Sequence, residues 1–256
     1  MSIKLNGVRV RPAVVAPEPS PPTDSLGAWY RADDINQSNG STVFTWTDRS
    51  GNGVDLVPVP SVSQPTLSTS SPEFNSRKAI SFNGSQQLYR LTPPNWSTGS
   101  SAFSIYVVND PTFSTDLLGL VGWGQEGSTN GRVCFCYYGP APHVIGVDGY
   151  GNASKKYVAN SNAQISAAFS ASGANMSSAE ILINGSTGTL ASSGDAVPWN
   201  IPNPCPELRI GGFAQASYGP FVGKIAEILI YHKQHASTER TDTLNYLSNR
   251  YGISLV

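Results

Sequence analysis

The chain has 256 residues, a formal net charge of −1, 13% charged residues, 25 glycines and 19 prolines. That length holds one large β domain or two small ones with a sizeable core, and the near-neutral balance gives no electrostatic footprint for nucleic acid or an anionic membrane. No apolar run approaches the roughly 20 residues that span a bilayer, and the start lacks the apolar stretch of a secretory signal, so cytoplasmic synthesis without membrane insertion is expected.

In chain order, Ile3-Lys4-Leu5-Asn6-Gly7-Val8-Arg9-Val10 comes first. It alternates apolar and basic residues around an Asn-Gly pair, a strong short-range hairpin signal. A turn there pairs Leu5 with Val8 and Ile3 with Val10 on one face, and Lys4 with Arg9 on the other. An isolated hairpin is marginal in water, so it needs a surface, either its own domain or a partner. Residues 11–24 carry five prolines, Pro12, Pro17, Pro19, Pro21 and Pro22, and read as a semi-rigid spacer. Residues 1–24 are therefore expected to be an arm and 25–256 the domain.

From Leu26 onward about a dozen strands are expected. Thr42–Thr47 alternates, residues 56–76 are expected to be irregular, and Phe103–Asn109 is apolar throughout, as suits a strand buried on both faces. Further strand signals fall at Leu117–Trp123, Val133–Tyr138, His143–Val147, Lys156–Val158, Ile165–Ser170 and Glu180–Asn184. The run Phe221–Tyr231 is β-branched and bounded by Pro and Gly, which predicts a long final strand. A polar break at 232–236 leads to a helix capped by Ser237, with Glu239 in its first turn. Leu244, Leu247 and Tyr251 form its apolar stripe, and Gly252 suits a left-handed end over which Ile253 folds back.

Five segments in order carry a resemblance: Leu26–Asp33, Phe44–Gly53 with its Trp-x-Asp-x-Ser-Gly-x-Gly turn, Ala79–Gly84, Ile181–Gly185 and Gly223–Ile253. Together they resemble the laminin-G-like, concanavalin A-like lectin-glucanase jelly-roll family, whose modules occur on bacterial and phage surface proteins. The resemblance implies an all-β, two-sheet antiparallel jelly-roll sandwich with one short C-terminal helix and the N-terminal hairpin arm in addition. It implies no single function, because the fold carries many.

The resembling hydrolases carry Glu-x-Asp-x-x-Glu on one strand, and a retaining glycosidase needs two carboxyls about 5 Å apart. Here Glu227–Tyr231 and Glu180–Asn184 each offer one carboxylate, so Glu227 reads as a structural hydrogen-bonding group. No Gly-x-Ser-x-Gly elbow, His-Glu-x-x-His pair or phosphate loop occurs, and His232 and His235 read as solvated turn residues. Cys134, Cys136 and Cys205 are an odd set, favouring buried reduced thiols over a metal site. The expectation is a protein without catalysis.

Glycan binding in such folds uses aromatic faces and a few polar loop groups. Trp123 and Gln125 among glycines, and Asp148, Tyr150 and Asn152 in a second Gly-rich loop, supply those ingredients. Asp148 and Asn152 also suit calcium, and the same residues also simply make turns; no cofactor is expected. Trp29 and Trp46 are expected in the core, with Trp96 and Trp199 undecided. The resulting expectation is a phage virion component, such as a capsid decoration, fibre or tail protein, assembled after cytoplasmic synthesis. Its arm residues Ile3, Lys4, Leu5, Val8, Arg9 and Val10 would hold a capsid or tail partner, and its jelly roll would face surface glycans. A free-standing lectin is the alternative, and a glycoside hydrolase the third reading.

Overall fold

A computed structural model describes residues 4–5, 8–9, 19–60, 62–113, 117–139, 143–149, 155–159, 162–215 and 219–256. Two antiparallel sheets stack face to face. In spatial order the eight-stranded sheet runs Leu190–Ser193, Lys155–Val158, Val144–Asp148, Arg132–Tyr138, Leu117–Gly124, Glu207–Ile210, Leu88–Leu91 and Val57–Pro58. The seven-stranded sheet runs Glu180–Ile183, Gln164–Ser170, Phe103–Pro111, Val222–Tyr231, Arg77–Asn83 and Thr66–Ser71, with Leu26–Arg31 added beside Val222–Tyr231.

The long strand Val222–Tyr231 is the spine of its sheet. One edge pairs along Phe103–Pro111; the other takes residues 80–83 beside Val222–Ile225 and then Leu26–Arg31 beside Glu227–Tyr231. A register shift between Ile225 and Glu227 inserts an extra residue, which bends a strand that must serve two neighbours. Ile225, Ile228 and Ile230 enter the core between the sheets, while Ala226, Leu229 and Tyr231 pack under the C-terminal helix. Burial on both faces explains the near-continuous apolar sequence of this strand and of Phe103–Pro111.

The helix Ser237–Tyr251 covers that second face with Leu244, Tyr246, Leu247, Tyr251 and the returning Ile253. Its cap is Ala236 rather than Ser237: Ala236 has no side-chain acceptor for the first-turn amides, and its own amide donates to Glu239 Oε2 at 3.0 Å, the carboxylate half of a capping box. Gly252 ends the helix at φ +68°, its amide donating to the Ser248 carbonyl at 2.9 Å.

The Trp-x-Asp-x-Ser-Gly-x-Gly turn is a fastening. Trp46 is buried, and the Asp48 carboxylate accepts from the amides of Trp29 (3.0 Å), Ser50 (2.9 Å) and Val54 (3.1 Å) and from Ser50 Oγ (2.8 Å). One side chain thus ties the turn to the strand Leu26–Arg31. Asp48→Ala is expected to cost about 2–4 kcal/mol, since it strands several donors at once; urea denaturation measures this, and an unchanged midpoint would contradict it.

Several expectations are corrected. Thr42–Thr47 forms no strand, only bridges at Thr42 and Trp46, because the two residues pair with different segments, at Thr66 and at Leu56; the predicted irregular stretch instead contains the strand Thr66–Ser71, whose Ser and Thr pair beside residues 77–81. Trp96 and Trp199 join Trp29 and Trp46 in burial. His235 is 1% exposed, not solvated, and pairs with the Tyr106 hydroxyl at 2.9 Å; His232 stands edge-on to Trp96, ring centres 4.9 Å apart. Burial lowers both imidazoles to about pKa 4. Each holds its neutral form in the fold, so their stabilisation is complete above the ordinary histidine value and is lost as pH falls from about 6.5 to about 4. Thermal melts across that range should show His235→Gln less acid-sensitive than the parent.

Strand Lys4–Leu5 pairs with Val8–Arg9, Lys4 opposite Arg9 and Leu5 opposite Val8, the expected register; Ile3, Val10 and the Asn6-Gly7 turn lie outside the described residues. Residues 19–24 lie on the body: Pro21 is buried, the Tyr231 hydroxyl donates to the Pro22 carbonyl at 2.9 Å, and Lys233 pairs with Asp24.

Candidate functional site

The outer face of the eight-stranded sheet gathers the polar side chains that the fold does not spend on its own core. Strand alternation sends Val133, Phe135 and Tyr137 inward and Arg132, Cys134, Cys136 and Tyr138 outward. Register then sets Asp148 and Gly122 on either side of Cys134, and Arg209 beyond Gly122. The result is one row across four strands, Asp148, Cys134, Gly122, Arg209.

Two charged centres stand on this face. In the first, Arg132 donates from Nε (3.2 Å) and Nη2 (2.6 Å) to Asp148 Oδ2 and from Nη1 to Glu126. In the second, Arg209 Nε donates to Glu207 Oε1 at 2.5 Å and Nη1 to Gln87 Oε1 at 2.7 Å. Arg132, Asp148, Glu207, Arg209 and Gln87 are all buried. Buried charges of this kind persist only when paired and hydrogen-bonded.

The segment 211–215 lies between the centres and fastens to both. Phe213 sits beneath the Arg132 guanidinium, 4.6 Å from ring centre to carbon, and the Gln215 amide donates to Glu207 Oε1 at 2.9 Å. The sheet is glycine where this segment crosses it. A Cβ at Gly119 would stand 2.6 Å from the Gly212 carbonyl carbon, and one at Gly122 would stand 3.1 Å from the Ala214 nitrogen. Phe213 also covers Cys134 and Cys136, so these outward thiols are buried. Burial pushes Cys134 well up and Cys205 up to about 11, leaving both as thiols without nucleophilic character at neutral pH.

The sequence-predicted site residues divide accordingly. Trp123 is corrected: it is 2% exposed and faces inward, its ring 5.3 Å from Phe103 and 6.1 Å from Trp96, and the backbone that approaches its flanking glycines is the chain's own, 212–214 at Gly122 and 131–132 at Gly124. Gln125 is exposed at the end of the strand Leu117–Gly124, beside Glu126. Asp148 belongs to the first centre. Tyr150 and Asn152 lie outside the described residues. Glu126, Arg132, Gln87, Glu207 and Arg209 were not singled out; their signal was a charged residue at an alternate position of an otherwise apolar strand, at Arg132, Glu207 and Arg209.

No protein-family model matches the sequence, and no curated protein matches it. Solved structures do share the fold. An arabinofuranosidase complexed with arabinofuranosyl-α-1,2-xylobiose superposes with a TM-score of 0.63 at 13% identity, over 91% of this chain and 60% of that one. The Trypanosoma rangeli sialidase gives 0.57 at 16%, over 89% of this chain and 33% of that one. Domain 4 of AbnA, a GH43 extracellular arabinanase from Geobacillus stearothermophilus, in complex with arabinotriose, gives 0.56 at 16%, over 86% and 98%. This chain thus spans about 60% of the arabinofuranosidase and a third of the sialidase. The likeness establishes a lectin-like β-sandwich and does not single out the laminin-G-like branch.

These neighbours correct the expected function. Phage, virion and decoration affiliations find no support in them: the fold recurs in an arabinofuranosidase, a sialidase and an arabinanase. A free-standing lectin fits no better. The expectation of no catalysis rests on requiring two carboxylates on a single strand. The fold instead brings Glu126, Asp148 and Glu207 to one face from three separate segments.

Proposed function

We propose that the chain is a carbohydrate-acting β-sandwich of glycoside-hydrolase type, with the outer face of the eight-stranded sheet as its substrate face. The observation that carries this reading is Arg132 held between two carboxylates, Glu126 and Asp148. Their oxygens on the guanidinium are separated by at most roughly 8 Å, two hydrogen bonds plus the width of the group, a ceiling below the ~9.5 Å upper limit of glycosidase pairs. Asp148, on a strand and bonded to two guanidinium nitrogens, is assigned the anionic role of base or nucleophile. Glu126, on the loop after Leu117–Gly124 and more exposed, is assigned the second carboxyl of the pair, giving a proton to the leaving oxygen once substrate displaces its bond to Arg132. Arg132 fixes their spacing.

Arabinose-containing glycans are the substrate class favoured by the neighbours, since their solved complexes hold arabinofuranosyl-xylobiose and arabinotriose. The finer affiliation to laminin-G-like domains rests on the motifs at 26–33, 44–53, 79–84, 181–185 and 223–253. The test is incubation with linear and branched arabino-oligosaccharides and separation of the products by chromatography. Shorter oligosaccharides and new reducing ends are expected; intact substrates after prolonged incubation with folded protein would sink the catalytic assignment.

A further inference from the structure

Beside the second charged centre the surface opens into a cavity of about 540 Å³, inside the ~300–1,000 Å³ range of small-molecule sites. Its polar wall is Arg209, Gln87, Gln215 and Ser85. The rest of its lining includes aliphatic groups, from Pro60, Val62 and Pro220. Arg209 and Gln87 are 7% and 4% exposed, so the wall is built from ordered side chains already joined by a 2.7 Å hydrogen bond.

The charge on that wall is internally matched. Glu207, 3% exposed, stands 2.5 Å from Arg209 Nε and is further held by the Gln215 amide. A ligand carboxylate arriving here would meet a guanidinium already compensated by a buried carboxylate and would lose its own hydration, an unfavourable exchange. Amides and a hydroxyl, by contrast, both donate and accept, as vicinal sugar hydroxyls require. The aliphatic lining suits the C–H face of a sugar ring without aromatic stacking.

Arg209 lies three strand spacings from Asp148 along the same row, roughly 14 Å at ~4.8 Å per strand. From the matched charge, the amide and hydroxyl wall and this position we infer that the cavity is a second saccharide subsite, selective for neutral sugars, which holds a glycan at a distance from the Glu126–Asp148 pair. The inference rests on the carbohydrate-acting reading above, and it separates neutral pentose or hexose chains from acidic ones such as sialic or uronic acids.

The experiment is an NMR titration of the full chain with arabinotriose and, separately, with trigalacturonic acid. It compares the parent, Ser85→Trp and Glu126→Gln. Ser85 is exposed at a turn, so the indole fills the cavity without entering the core. Arabinotriose is expected to shift the amides of Ser85, Gln87, Arg209 and Gln215 in the parent and in Glu126→Gln, and to bind Ser85→Trp at least tenfold more weakly. The acidic trimer is expected to bind more weakly than the neutral one. If Ser85→Trp binds as the parent does, with shifts confined to residues 122–126 and 146–149, the subsite is wrong while the substrate face stands. Tighter binding of the acidic trimer overturns the neutral selectivity. Absence of any shift overturns the subsite together with the reading it rests on.

Discussion

Glu227→Ala is expected to destabilise the fold by about 3–5 kcal/mol, because it removes the acceptor for a whole buried polar cluster. Glu227 is completely buried between the strand Val222–Tyr231 and the helix. Oε1 accepts from Trp29 Nε1 (2.6 Å) and the Tyr246 hydroxyl (2.8 Å), Oε2 accepts from the Tyr251 hydroxyl (2.7 Å), and Arg250 Nε stands 3.5 Å away. Truncation leaves three donors and a buried guanidinium facing a void. Glu227→Gln keeps the shape but turns an amide NH₂ toward groups that donate, so a smaller loss of about 1–3 kcal/mol is expected. Urea denaturation of both variants tests this; an alanine variant as stable as the parent would show that the helix is held by its apolar contacts alone.

The same carboxyl sets a pH signature. Burial raises its pKa to about 7, against the pull of the Tyr251, Tyr246 and Trp29 donors and the nearby Arg31. A carboxyl raised in the fold stabilises fully below its unfolded value and loses that stabilisation as pH climbs from about 4.5 to about 7, on the order of 3 kcal/mol in all. The buried histidines run oppositely in the overlapping window. Glu227→Gln removes the gain on acidification and leaves the histidine loss, so its melting temperature should fall more steeply than the parent's between pH 7 and pH 4.5. A parallel pair of curves would contradict the raised pKa.

Asp148→Asn and Glu126→Gln are each expected to lower turnover of arabino-oligosaccharides by 10²–10⁴-fold, the usual loss for a missing acid, base or nucleophile. Both substitutions are nearly isosteric and keep an oxygen for Arg132, so Phe213 beneath the guanidinium should stay in place. The discriminating readout is kcat against arabinotriose affinity: kcat falls while affinity changes by less than tenfold. Loss of affinity with kcat preserved would make these groups binding residues only. A purely structural role would lower the melting temperature and leave the kinetics of the folded fraction intact.

How much of this was legible in the sequence differs by length scale. The final strand, the helix with its Gly252 end, the buried Trp46 turn and the pairing of residues 4–5 with 8–9 all follow from local signals of alternation, capping and turn chemistry, and the structure contains each of them. The capping group was misplaced by one residue because Glu239 reaches back to Ala236, a choice that depends on side-chain reach rather than residue type. His232 and His235 looked solvated because their neighbours in sequence are polar; their burial comes from Trp96 and Tyr106, distant in the chain. The site was least legible of all. Trp123 among glycines reads as an exposed indole, yet those glycines receive the chain's own backbone, from 212–214 at Gly122 and from 131–132 at Gly124. The pairing of Glu126 with Asp148 through Arg132, and of Glu207 with Gln87 through Arg209, exists only once the strands are in register.

The most direct test of the substrate face is a crystal structure of Glu126→Gln soaked with an arabino-oligosaccharide longer than three residues. The proposed function predicts sugar density on the outer face of the eight-stranded sheet, with a glycosidic oxygen beside position 126 and Asp148 and the glycan passing over the segment 211–215 toward Arg209. Density on the helix-covered side of the other sheet, or an outer face left empty at saturating glycan, would contradict it.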